Sequence, residues 1–548
     1  MRQTKRPAID KKEGVAVSSG IWPWVAIIVV IIAAAVIRGR LLSVPFERDE
    51  GEYAYIAQQM LKGVPPYVSA YSMKLPGIYV VYALIMTLFG ETHTGVHLGL
   101  LIFNAATIFV VFLLAKKIFG SLAAVAAGGI YAVLSITSGV MGLWANSEHF
   151  VILPALVGLL LICNSNGKTG YVRLLIAGLL FGLAFIIKQH GIFFALFAAL
   201  YLLYSGLRDK PIKWIKVIVV QIVFAAGAIT PFALVCFFFW RNGTFDKFWF
   251  WTFTYAREYT AVVPLEAAWK LFAHQAKKMF YEGFPIWFLS VFGFFAVVVM
   301  KRYRQLAVLA AGFFIFSFLA VCPGFYFREH YFIFILPAVA IFAGVGLAAI
   351  DDLFQRTIPA ILRVFIIGVI GVGVVGYSLY QQREYLFDNS PEAVCRMVCG
   401  LNPFPESLRI AEFIRNNTGP DDTVAVIGSE PQIYFYSGRR SATSYIYMYP
   451  LMEPGPFASS MQQEMITQIK AAKPEFVVSV NVNISWLVRA SSDKEIFKWS
   501  DSYCSQFYYL AGAVSILPSG QAVYRWNEQA ANYRPASEFW VAVFKRRQ

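Results

Sequence analysis

Apolar residues fall in long runs along this chain, and the charged residues collect in the short segments between them. The runs lie near 21–40, 95–115, 121–142, 150–163, 174–187, 191–205, 217–240, 285–300, 305–322, 332–350 and 358–380. A helix needs about 20 apolar residues to cross a bilayer, so the pattern predicts a polytopic α-helical membrane protein with about eleven transmembrane helices. After Tyr380 the pattern changes. TVAVIG (423–428) and EFVVSVN (475–481) read as buried strands, and 406-ESLRIAEFIRNN-417 reads as an amphipathic helix. The expected organisation is therefore a tail over 1–20, a membrane domain over 21–380 with a first loop over 41–94, and a soluble α/β domain over 381–548.

Charge then gives the runs a direction. With the N-terminus inside, as Arg2, Lys5, Arg6, Lys11 and Lys12 suggest, every basic inter-helix cluster lands on the cytoplasmic side. These clusters are Lys116-Lys117, Lys168/Arg173, Arg208/Lys210/Lys213/Lys216, Lys301/Arg302/Arg304 and Arg356/Arg363. Counting the stretch 76–90, PGIYVVYALIMTLFG, as a span would spoil this register, so it is expected to be an interfacial or re-entrant helix. An odd number of spans puts the C-terminal domain outside. No small-residue cleavage site follows the first run, which is read as an uncleaved span.

Composition agrees. The 548 residues are 58% hydrophobic and 14% charged, and the net charge of +15 is explained by loop topology rather than by nucleic acid. Three of the six cysteines, Cys163, Cys236 and Cys322, lie in or beside apolar runs and read as packing residues. Cys395 and Cys399 are close enough in sequence for a disulfide if their region is extracytoplasmic.

Against this background, polar clusters gather on the predicted outer side. Glu47, Asp49, Glu50 and Glu52 crowd into 46-FERDEGEY-53, and 70-AYSMKLPG-77, 144-WANSEH-149, 188-KQH-190 and 326-YFREHY-331 follow. Ionisable residues at membrane depth are costly and point to function. Each cluster also has a plainer reading. Asp49 with Glu52 three residues on resembles a capping box, and Glu148 could cap a helix starting at Phe150. Lys188–His190 could be a snorkelling loop tip, and Arg328–His330 an interfacial ion cluster. His93 and His97 have helical ligand spacing but no third partner close in sequence.

An outward pocket of carboxylates and cations beside a bilayer suits a substrate with a lipid tail and a phosphate. Cations would hold the phosphate, and a carboxylate would take the proton of an attacking hydroxyl. Sugar transfer from a polyprenyl phosphate needs these parts. No phosphate-loop or dinucleotide motif is present for nucleotide chemistry.

The ordered set RDEGEYAYIAQQMLKG, MKLPGIYVVYALIMTLFG, WANSEHF, KQHG and REHYFIFILPA resembles the glycosyltransferase C superfamily over about 21–380. Its nearest branch groups bacterial protein O-mannosyltransferases with the lipid A aminoarabinose transferase. The resemblance implies Asp49 as base, with Glu50 beside it and Glu148 as a later acid. Lys74, in Lys-Leu-Pro where the family has Lys-Pro-Pro, would approach the lipid phosphate, joined by Lys188, Arg328, His330 and Tyr331. Tyr53, Tyr71 and His190 are candidate substrate contacts. The implied donor is a polyprenyl-phosphate-linked sugar, and the implied acceptor an extracytoplasmic lipid (lipid A), glycan or protein. The expected place is the bacterial inner membrane, with the C-terminal domain periplasmic or extracellular. No cofactor is required for this chemistry, whereas an oligosaccharide transferase would call for a divalent metal. A lipid or polysaccharide transporter is the rival class, disfavoured by the one-sided polar residues and the lack of a repeat. In the C-terminal domain, 428-GSEPQIYFYSGRR-440 has a strand–turn–helix look, and Arg439-Arg440 could touch an acceptor.

Overall fold

A computed structural model describes residues 20–163, 170–208 and 210–547. The predicted tail, apart from Gly20, and Lys168 of the second basic cluster lie outside the described residues.

Each of the eleven apolar runs carries a helix. The first is α1 (Trp22–Arg40), followed by α2 (Arg48–Leu61), α3 (Gly77–Phe89), α4 (His93–Phe119), α5 (Ser121–Leu134) and α6 (Ser147–Ile162). Then come α7 (Tyr171–Ile187), α8 (Ile192–Arg208) and α9 (Trp214–Arg241), with later helices at Phe284–Val299, Ala307–Val321, Leu336–Phe354 and Ala360–Gln381. Among the described residues seven helices are long and apolar enough to cross a membrane. An eighth is added if the bent pair Leu265–Glu282 and Phe284–Val299 is one span. The chain is a multi-pass membrane protein. Helices α5, α6 and α7 are apolar but shorter, at 14, 16 and 17 residues.

The run 121–142 is α-helical only to Leu134, with a single 3-10 turn at Ser138–Val140 beyond it. The reason lies in two polar side chains, one buried and one half-buried, that draw its backbone out of the ladder. Arg38 donates to the carbonyls of Ser135 (2.7 Å) and Gly142 (2.8 Å), and Glu282 accepts from the Gly139 amide at 3.0 Å. The irregular stretch that results carries the chain to Asn146 and α6.

Helices α7 and α9 approach backbone to backbone. Gly178 and Gly182 sit four apart on α7, and a Cβ on either would run into backbone carbonyls of α9. Small residues at this spacing let membrane helices pack closely where no hydrophobic effect draws them together.

Beyond Gln381 the chain builds a six-stranded mixed sheet. Its strands are β1 (Thr423–Ile427), β2 (Arg440–Ser441), β3 (Phe476–Asn481), β4 (Tyr508–Ile516), β5 (Ala522–Trp526) and β6 (Phe539–Arg546), in the order β2-β1-β3-β6-β4-β5. β1 pairs in parallel with β2 and β3, whereas β6 runs antiparallel to β3 and β4. The predicted strands at 423 and 475 are β1 and β3, and the predicted helix is Phe404–Asn416. Cys395 and Cys399 are free thiols.

One buried apolar cluster runs from the membrane helices through α2 into this sheet. Phe46 stacks on Tyr436 (5.8 Å between ring centres) and Tyr55 packs on Tyr434 (5.2 Å). Gly51 of α2 leaves room for Gln432, whose backbone nitrogen would stand 2.6 Å from any added Cβ.

Candidate active site

Helix α2 starts in a capping box, but not the expected one. Glu47 accepts the Glu50 amide at 3.1 Å, and Glu50 accepts the Glu47 amide at 3.3 Å. The helix begins two residues earlier than an Asp49 cap requires. Asp49 and Glu52 are thereby freed of capping, and their i, i+3 spacing puts both on one face. Lys74, from the loop before α3, bridges them, with Nζ at 2.9 Å from Asp49 Oδ1 and 2.9 Å from Glu52 Oε2. Its ammonium also lies 4.6 Å from the centre of the Tyr53 ring.

This trio lines a pocket with about 580 Å³ of open space. The opposite walls bring Arg328 and Tyr331, Tyr71 and Trp251, and Tyr447 and Tyr449 of the C-terminal domain. A π-helical turn over Phe250–Tyr255 presents Trp251 and Tyr255. Arg328 donates to the Tyr259 hydroxyl at 3.5 Å and has no carboxylate partner among the described residues.

The pocket charges differ in protonation. Burial would raise the Asp49 pKa, but the ammonium of Lys74 and the guanidinium of Arg328 outweigh it and hold Asp49 below the usual carboxylate range. Burial moves Glu52 upward, with Lys74 opposing and Asp49 adding to the rise. Burial also pushes Glu47 up to about 8, helped by Asp49 and Glu50.

A second cluster adjoins the first through Tyr331. Glu148, at the start of α6, forms a buried ion pair with Lys188, and His330 Nε2 lies 3.9 Å from the same carboxylate. The Lys188 ammonium lies 4.4 Å from the centre of the Tyr331 ring. Asn146 and His149 beside Glu148 are buried, and their side-chain nitrogen and oxygen atoms have no hydrogen-bond partner among the described residues.

The remaining candidates lie apart from the pocket. Glu50 is fully buried and turned toward α4, where it meets His97 Nε2 at 2.8 Å and accepts the Ala145 amide. His97 Nδ1 donates to the Leu42 carbonyl at 2.9 Å, so both of its ring nitrogens are engaged. His93 packs edge-on against Phe46 and Tyr436. His190 donates from Nδ1 to the Ala320 carbonyl at 2.7 Å and packs on Tyr331. Arg439 is consumed by Thr418 and by the Arg415 and Thr418 carbonyls, so it is part of the domain's own framework. Among the described residues no group of three His, Cys, Asp or Glu side chains is placed to hold a metal ion.

Three contributors escape the sequence reading. Glu52 is a pocket residue, not a cap. Arg48 leaves α2 for the C-terminal domain, pairing with Glu430 at 3.0 Å and donating to Ser429, Asn402 and Tyr449. The run 445-YIYMYP-450 lays three tyrosines at alternate positions along the pocket side: Tyr445 on Tyr71, Tyr447 on Asp49 and Tyr449 on Arg48. That alternation of large amphipathic side chains in an otherwise turn-rich stretch was the available signal.

Comparison with known proteins gives a family match over part of the chain and a similar fold. Residues 74–234 match a family described as dolichyl-phosphate-mannose-protein mannosyltransferase, a window that includes Lys74, Glu148 and Lys188. The fold is similar to ArnT from Cupriavidus metallidurans bound to undecaprenyl phosphate, at 15% identity and a TM-score of 0.58, covering 96% of this chain and 98% of that one. It is also similar to the oligosaccharyltransferase AglB from Archaeoglobus fulgidus, in complex with an inhibitory peptide and a dolichol-phosphate. That match has 13% identity and a TM-score of 0.55, and covers 93% of this chain and 75% of that one. No curated protein sequence matches.

Proposed function

We propose that this chain, whose residues 74–234 match the dolichyl-phosphate-mannose-protein mannosyltransferase family, is an integral membrane glycosyltransferase. It moves a sugar from a polyprenyl-phosphate donor to the hydroxyl of an extracytoplasmic acceptor. One observation carries this reading. A carboxylate held ionised, Asp49, and a cation with no carboxylate partner among the described residues, Arg328, face one pocket with Lys74 between charges.

The chemistry follows from that arrangement. The donor phosphate docks on Arg328 and draws on Lys74, since anionic oxygens compete with Asp49 and Glu52 for its ammonium. Loss of Lys74 from Asp49 makes the carboxylate a stronger base at the moment the donor is bound. Asp49 then takes the proton of the acceptor hydroxyl, whose oxygen bonds to the anomeric carbon as the carbon–phosphate-oxygen bond breaks. The electron pair leaves on the lipid phosphate, stabilised by Arg328 and Lys74. One base opposite one leaving group gives inversion at the anomeric carbon. Glu148, ion-paired with Lys188, holds that side chain against Tyr331, near the phosphate.

The positive-inside pattern supports an extracytoplasmic pocket and C-terminal domain in this reading, and a polyprenyl-phosphate donor is supported by ArnT, whose fold is similar and which is described with undecaprenyl phosphate bound. The test is to incubate the purified protein with polyprenyl phosphates carrying single hexoses, pentoses or uronates and a panel of lipid, glycan and peptide acceptors. Mass spectrometry should show free polyprenyl phosphate and a glycosylated acceptor for at least one pair. Passage of the intact donor across a liposome membrane, without covalent change, would instead support transport.

A further inference from the structure

The proposed base is held from both sides of the molecule. Asp49 Oδ1 receives Lys74 from the membrane domain at 2.9 Å and the hydroxyl of Tyr447 from the C-terminal domain at 3.2 Å. Asp49 Oδ2 makes no hydrogen bond among the described residues and keeps access to the pocket. We infer that Tyr447 is a positioning residue for the transfer reaction: by fixing Oδ1 it leaves Oδ2 as the atom that meets the acceptor hydroxyl. The inference rests on the reading of Asp49 as the base.

Three features make the contact a built one. Tyr447 is followed directly by two anchored residues: the Met448 amide donates to Ser429 Oγ at 2.8 Å, and the Tyr449 hydroxyl donates to the Ile484 carbonyl at 2.7 Å. Its ring meets Tyr449 edge-on at 4.8 Å, which limits its rotation. The helix it addresses is fixed to the same domain one residue earlier, by Arg48 on Glu430. The C-terminal domain thus holds both the start of α2 and one oxygen of its carboxylate.

Removing the hydroxyl has a defined electrostatic consequence. The titratable and charged groups around Asp49 are Lys74, Arg328 and His330 from elsewhere in the membrane domain and Glu47 and Glu52 from the cap and body of its own helix, with Tyr447 as the neutral donor. A donor to a carboxylate favours the ionised form, so its loss raises the pKa of Asp49. Donation by the tyrosine hydroxyl also fixes the carboxylate plane, which a ring alone does not.

The experiment is Tyr447→Phe in the full-length protein reconstituted in lipid, with kinetics followed across pH. The phenylalanine keeps the ring packing, so thermal stability should stay close to that of the parent. The expected result is a fall in kcat of roughly tenfold, an unchanged KM for donor and acceptor, and an acid limb of the kcat profile moved to higher pH. Unchanged kcat, a rise in KM alone, or a lower kcat with an unmoved acid limb would each overturn the assignment. Asp49→Asn run in parallel separates the two levels. If that variant still turns over, the reading of Asp49 as base fails, whatever Tyr447→Phe does.

Discussion

Three carboxylates within four residues of α2 divide between two environments because a helix turns by about 100° per residue. Asp49 faces the pocket, Glu50 one step on faces His97 and the Ala145 amide, and Glu52 returns to the Asp49 face to share Lys74. The dipeptide Asp49-Glu50 was legible as a signature, but the division of labour within it was not, because it depends on where the helix begins. Glu47 sets that start and bears a consequence of its own. Its folded pKa of about 8 stands above the ordinary value, so the folded state binds the extra proton. The stability this supplies is complete below the unfolded pKa of about 4.3 and is lost as pH rises toward about 8. Thermal unfolding in detergent should therefore show the parent protein losing stability over this range. Glu47→Gln, which keeps an acceptor for the Glu50 amide, should flatten that loss. Parallel pH profiles for the two proteins would refute the shift.

At the scale of elements, α2 is the joint between the membrane helices and the sheet domain. It faces the pocket with Asp49 and Glu52, and reaches the domain with Arg48, Gly51 and Tyr55. By sequence, Tyr53, Ala57, Met60 and Leu61 form one apolar face, the pattern of a helix lying at a membrane interface. The structure buries it nearly all round, since the C-terminal domain covers the side that sequence periodicity assigns to solvent. Such burial by residues some 380 positions away in the chain leaves no local trace. Glu430 has no exposed side-chain surface, so removing its partner strands a buried charge. Arg48→Met is expected to destabilise the protein by about 3–5 kcal/mol. It should also speed proteolysis between the two parts of the chain. An unchanged melting curve would show that the domain is held by other contacts. The apolar helices were legible by length and hydropathy alone. Where a run broke early, as at Leu134, the cause was Arg38 and Glu282 from elsewhere in the fold.

At the scale of the whole molecule, the order of the polar clusters along the sequence becomes one pocket and its adjoining pair. Asp49, Lys74, Arg328 and Tyr331 come from three separate segments and line a single cavity. This convergence was anticipated because each cluster fell on the same side of the predicted spans. The tyrosines of 445–450 were not, because a pocket wall supplied by the C-terminal domain carries no membrane-side signal. The domain is therefore part of the proposed reaction site, and its sheet is the scaffold that presents Tyr447 and Tyr449 to the pocket. Recognition of the acceptor would fall to this shared wall, where Trp251, Tyr255 and Tyr449 offer aromatic faces.

Asp49, as the group that takes the acceptor proton, is the centre of the proposed mechanism. Asp49→Asn preserves the size of the side chain and its capacity to accept from Tyr447. Turnover of a polyprenyl-phosphate sugar by this variant, measured as released polyprenyl phosphate, should fall by about 10²–10⁴-fold, with donor binding retained. Turnover equal to the parent would contradict the assignment of Asp49 and, with it, the mechanism built on this pocket.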